Sequence, residues 1–188
     1  MKASSSNLLP LLLLVLETTI AQSQWTYSVV NSTTDPSHSY YTAALKYDGT
    51  QDRWANQTNK VSQHLNFTYF FMPPSHLIVW ITDPDNPNRW EVPHAYPFPH
   101  SDYSKKFGPY DNALVKVTVT QSPFSFKITR KATNEVIFDS SVGELIYSDY
   151  YLQFSTSLAT PNVYGFGERN YKLNLGPDGT YSILTKDS

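Results

Sequence analysis

The chain contains no cysteine, and among its 188 residues only seven are glycine and two methionine. Lacking thiols, it can form neither a disulfide framework nor a thiolate zinc site, and it has no cysteine nucleophile. No lysine or arginine run occurs and the formal net charge is -2, so there is no electrostatic footprint for nucleic acid or an anionic membrane. The longest apolar run, Leu8 to Leu16, is interrupted by Pro10 and falls short of the ~20 residues a membrane span requires. Glycine-rich phosphate loops are absent as well. Gly165 and Gly167 form a lone Gly-x-Gly without the third glycine of the dinucleotide fingerprint and without a following helix pattern.

What is present begins with the N-terminus. Lys2, the short apolar run and the small residues Thr19, Ala21 and Ser23 have the layout of a secretory signal peptide over residues 1–23, with the mature chain starting near Gln22 to Gln24. In that setting the sequons at Asn31 (NST), Asn56 (NQT) and Asn66 (NFT) read as N-glycosylation sites, and residues 24–188 read as one domain.

Hydrophobic periodicity points to strands. The Tyr-, Thr-, Asn- and Ser-rich stretch from Trp25 to Asn59 shows little period and reads as irregular chain with one or two short strands. Clearer signals are LNFTYFF (65–71) and HLIVWITD (76–83), the second bounded by Pro73-Pro74 and by DPDNPN. The stretch from Glu91 to Asp111 carries four prolines, which remove ladder donors, and reads as a surface connection. Val115, Val117 and Val119 alternate with Lys116, Thr118 and Thr120, which predicts a strand packed on one face. FSFKITRK and EVIFDS on either side of ATN predict a hairpin. Residues 145–158 are long enough for one more strand, with room for a bend in it, and NVYGFG and TYSILT supply two others. No window holds a helical period over ten residues, and the expected fold is an all-β antiparallel sandwich.

Chemistry-bearing patterns are sparse. Asp83 to Asn88 begins like a calcium loop, but Pro87 and Asn88 occupy a ligand and the glycine position and His94 the closing glutamate, so a turn is expected. The histidines at 38, 64, 76, 94 and 100 show neither strand nor helix pairing, so no metal site is expected, nor any cofactor. No G-x-S-x-G occurs, and sequence spacing selects no carboxylate pair among the 16 acidic residues. The 14 tyrosines and four tryptophans have two readings, sugar-stacking platforms or sandwich core.

Four stretches in order resemble one family, the N-terminal β-sandwich domain of the glycoside hydrolase family 31 α-glucosidases, whose fold is a galactose-mutarotase-like supersandwich. They are IVWITDPDNPNRWEVP, the hairpin FSFKITRKATNEVIFDSS, the following LIYSDYYLQFSTSL, and NVYGFGERNYKLNL. The resemblance implies that a (β/α)8 barrel after this sandwich carries the two catalytic aspartates, leaving no catalytic residue in residues 24–188 and no hydrolysis by this chain alone. It further implies that a loop after YGFGE lends an Asp to the site for the terminal glucose, for which Asp178 in LGPDGTY is the best match; Pro177-Asp178-Gly179 is equally a turn signature. Glu168 and Arg169 become candidates for an ion pair at the domain junction. The implied partner is an α-glucoside or oligosaccharide bound together with the barrel, and the implied compartment is secreted or lysosome/vacuole-like. A free-standing carbohydrate-binding or interaction module is the alternative, with a structural surface glycoprotein behind it.

Overall fold

The computed structural model describes residues 26–49, 60–72, 75–90, 108–165 and 172–181. Strands β1 (Tyr27–Thr34), β2 (Tyr40–Tyr47), β3 (His64–Met72) and β4 (His76–Thr82) form an antiparallel sheet in which each strand pairs with its chain neighbour. A second antiparallel sheet holds β5 (Val115–Gln121), β6 (Phe124–Arg130) and β7 (Val136–Asp139), and β8 (Ile146–Tyr147) and β9 (Leu152–Gln153) make a small hairpin. Two single-turn 3-10 helices, Tyr110–Asn112 and Ser140–Val142, are the only helical elements among the described residues. None of the described helices is long and apolar enough to cross a membrane.

Side-chain alternation turns Tyr27, Leu45, Leu65 and Phe67 of the first sheet toward Phe124 and Phe126 of the second. Phe67 sits at the centre, fully buried, with ring centroids 5.0 Å from both Phe124 and Phe126. Aromatic stacking carries on outward from Phe126 to Phe138 (5.2 Å) and from Phe138 to Phe154 (5.2 Å). Burying each such side chain contributes roughly 1.5–3 kcal/mol, so the sandwich is held by aromatic interdigitation without any covalent staple. The sandwich expected from periodicity is therefore the fold.

Three local readings are revised. The Trp25 to Asn59 stretch holds two strands of eight residues each, longer than the short strands expected. Their period is masked because a β-bulge shifts the β1–β2 register between Val29 and Asn31 and because the outer face takes Ser, Thr and Asn. Residues 145–158, expected as one strand with room for a bend, form the short β8 and β9 around a turn. Buried Ser148 makes that turn, its hydroxyl donating to the Tyr151 carbonyl (3.0 Å) and accepting from the Tyr151 amide (3.2 Å). Of NVYGFG, residues 162–165 are not in a strand, nor are Thr180 and Tyr181 of TYSILT; the remaining residues of both stretches lie outside the described residues, as do 91–107 of the proline-rich connection.

The second sheet carries a titratable lock. Lys127 and Asp139 are cross-strand partners with Nζ 2.7 Å from Oδ2, while Asp139 Oδ1 accepts from the Ser141 amide (3.0 Å) and hydroxyl (2.6 Å). The hydrogen bond from Lys127, and then that from the Ser141 side chain, hold the Asp139 carboxyl at about 2, below its ordinary 3.8. A carboxyl depressed in the folded state contributes stability that is present above its ordinary value and is lost as pH falls through the folded-state value. The urea midpoint is expected to drop between pH 4 and pH 2, with Asp139→Asn flattening that part of the profile; equal slopes in the two proteins would rule the lock out.

Candidate functional site

The loop containing Asp178 is built from two segments. Asn174 organises it: its Oδ1 accepts from the Val163 amide (3.1 Å) and the Gly176 amide (3.1 Å), and its Nδ2 donates to Asn162 Oδ1 (2.6 Å). The Leu175 amide donates to the Val163 carbonyl at 2.8 Å, which fastens residues 172–181 to the stretch after Thr160. Gly176 at φ 73° and Gly179 at φ 155° supply backbone that L-residues rarely adopt, and a Cβ on Gly179 would fall 2.6 Å from the Tyr181 hydroxyl. Tyr181 in turn donates to the Leu175 carbonyl at 2.8 Å, with the Asp178 carbonyl 3.5 Å away. Asp178 lies exposed at the bend between the two glycines. Among the described residues its carboxylate takes no hydrogen bond. The turn signature is thus confirmed as a bend with Asp178 at its tip.

Other candidates are distributed elsewhere. Asn31 and Asn66 are exposed on β1 and β3. Asn56, Glu168, Arg169 and residues 1–23, expected to be a leader, lie outside the described residues. The turn after β4 is a structural clasp. Asp83 is buried; its Oδ1 accepts from the Asp85 amide (2.9 Å) and its Oδ2 from the Ser62 hydroxyl (2.5 Å), with Arg89 Nη1 3.9 Å from Oδ2. Arg89 Nη2 donates to the Ser148 carbonyl, and its guanidinium lies 4.5 Å from the Tyr147 ring centroid. Asp149 closes the clasp by accepting from the Lys60 amide at 3.1 Å. Tyr27 joins from β1 through a hydroxyl that donates to the Ser62 carbonyl at 2.8 Å, and burial, aided by neighbouring Tyr47, pushes that phenol well above its ordinary range. The sequence reading missed this clasp; its signal was an Asp opening a proline-rich turn with an Arg six residues on. Asp83 is committed to its own turn, and no group of three or more His, Cys, Asp or Glu placed to hold a metal ion occurs among the described residues.

An apolar cleft of about 550 Å³ opens between the sheets on the β4 side, lined by Leu77, Val79 and Ile81 of β4 and by Ile128, Phe138 and Phe154 opposite. Its polar content is too small for acid or base work. The described residues therefore offer an exposed carboxylate on an ordered loop and no assembled catalytic constellation.

No family model matches the chain. Curated proteins do. It is 43% identical over 108 residues to human intestinal sucrase-isomaltase, covering 56% of this chain and 6% of that protein. Lysosomal acid alpha-glucosidase of Tetrahymena pyriformis is 32% identical over 143 residues, 75% of this chain and 15% of its own length. Probable maltase-glucoamylase 2 of Homo sapiens is 32% identical over 167 residues, 87% of this chain and 6% of that protein. The chain thus spans a small part, 5 to 15%, of the length of the curated relatives it matches. With the four ordered motifs, an antiparallel sandwich beneath them and these relatives, the chain belongs to glycoside hydrolase family 31.

Proposed function

We propose that residues 24–188 form the non-catalytic N-terminal sandwich of an α-glucosidase that hydrolyses terminal α-linked glucose, and that Asp178 is presented from it to the substrate. The observation that carries the reading is the similarity to α-glucosidases along most of the chain, joined to an exposed carboxylate on a loop that two glycines and Asn174 hold in place. In this reading the catalytic carboxylates stand on a (β/α)8 barrel supplied by a longer polypeptide, acting about 5–5.5 Å apart in the retaining geometry. Residues 1–23 direct the protein into the secretory pathway, toward secretion or a lysosome-like compartment, and Asn31, Asn56 and Asn66 receive glycans there.

The purified 188-residue chain is expected to show no turnover of maltose or an aryl α-glucoside, and measurable hydrolysis would overturn the non-catalytic role. In a polypeptide that includes the barrel, Asp178→Ala should raise KM roughly 10- to 100-fold, the worth of one charge-assisted hydrogen bond of about 1.5–3 kcal/mol. An unchanged KM would remove Asp178 from the site. A second reading, a free-standing carbohydrate-binding module, draws on Trp90 and Tyr150, aromatic residues that are 77% and 81% exposed and of the type that stacks on sugar. Flat calorimetric titrations with malto-oligosaccharides would eliminate it.

A further inference from the structure

Two of the three sequons share one row of the first sheet. Asn31 on β1 pairs with Ala44 on β2, and Ala44 pairs with Asn66 on β3. All three residues are exposed. The two asparagines therefore stand side by side on the outer face, roughly 10 Å apart at two strand spacings, with only a methyl group between them.

The bulge in β1 produces this alignment. Val29 pairs with Leu45, which faces the core, and regular pairing from there would set Val30 opposite Ala44 and Asn31 opposite Ala43. Ala43 is buried in the core cluster, so Asn31 would point inward. The extra residue moves Asn31 one place along, onto the outer face, and leaves Val30 66% exposed. The surrounding outer positions suit a solvated glycan base: Lys46 and His64 are exposed in the row before, and Thr33, the sequon hydroxyl for Asn31, is exposed in the row after. Thr68, the hydroxyl for Asn66, shares a 3.0 Å hydrogen bond with Thr42.

We propose that Asn31 and Asn66 are modified together and that their glycans form one contiguous cover over the polar half of the β1–β3 outer face. This deepens the secretory reading above and rests on it. At each site the Asn Nδ2 attacks C1 of an oligosaccharide carried on a lipid pyrophosphate. The Nδ2–C1 bond forms, the C1–O bond breaks, the lipid pyrophosphate leaves, and Nδ2 gives up one proton. Adjacent glycans crowd each other, so each limits the access of trimming enzymes to its neighbour.

The test is to express the full chain in a secreting eukaryotic cell and map glycopeptides by mass spectrometry. The expected result is a secreted protein with Asn31 and Asn66 occupied in the same molecule, and loss of one glycan in Asn31→Gln, in Thr33→Ala and in Asn66→Gln. Asn31→Gln should also increase the trimmed fraction of the glycan left on Asn66. Secreted protein carrying a glycan at Asn56 while Asn31 or Asn66 stays bare overturns the proposal and leaves the secretory reading intact. Trimming at Asn66 that is unchanged in Asn31→Gln overturns the shared cover. Retention in the cytosol with all three sites bare overturns both.

Discussion

Phe67→Ala is expected to destabilise the sandwich by about 3–5 kcal/mol, the range for deleting a fully buried aromatic ring from a core. Phe67 lies where the two sheets meet, in ring contact with Tyr41, Tyr69, Phe124 and Phe126. Four aromatic neighbours anchored on three different strands cannot collapse into the vacated space without leaving their rotamers, so the cavity persists. Against a total stability on the order of 5–15 kcal/mol, this is a large fraction, and no disulfide is available to offset it. A urea melt should show the midpoint lowered by about 2 M at an unchanged slope. A shift corresponding to less than 1 kcal/mol would mean that the sheets do not meet at Phe67.

The second large effect belongs to the clasp. Asp83→Ala removes the acceptor of the Ser62 hydroxyl and the Asp85 amide, and it leaves the half-buried Arg89 guanidinium without its carboxylate. Stranding a buried cation costs about 3–5 kcal/mol, whereas replacing both partners with apolar groups of similar shape is near neutral. Asp83→Ala is therefore expected to cost more than Arg89→Met, with the double substitution recovering part of the loss. Among the described residues Arg89 Nη1 has no hydrogen-bond partner, and its separation of 3.9 Å from Asp83 is long, which places the loss at the lower end of that range. Thermal melts of the four proteins give the coupling directly, and strictly additive losses would show that Asp83 and Arg89 act independently.

Strands from β3 to β7 were legible because their apolar residues either alternate, as Val115, Val117 and Val119 do, or form a short run bounded by turn residues, as Leu77 to Ile81 do. Two strands were underestimated for a physical reason: the bulge at Val30 breaks the period of β1, and β2 spends its outer positions on Thr42, Ala44 and Lys46. Residues 145–158 carry enough aromatic and aliphatic side chains to read as a strand, and what interrupts them is one serine whose hydroxyl competes for backbone groups. Local chemistry of that kind leaves a weak mark on hydrophobic pattern. Asp178 was legible as a turn residue from Pro177 and Gly179. Its anchoring by Asn162 and Asn174, and the reach of Arg89 to residues 59 and 60 positions away, were not. Those contacts pair segments that only tertiary folding brings together.

The order of pairing in the first sheet has a consequence for synthesis. Because β2, β3 and β4 each pair with the strand made just before, a nascent chain that has reached Thr82 contains all four strands of the first sheet. It contains none of that sheet's cover, since Phe124 and Phe126 have yet to emerge. Between those two moments Leu45, Leu65 and Phe67 are without their native cover and present an apolar face to whatever surrounds the growing chain.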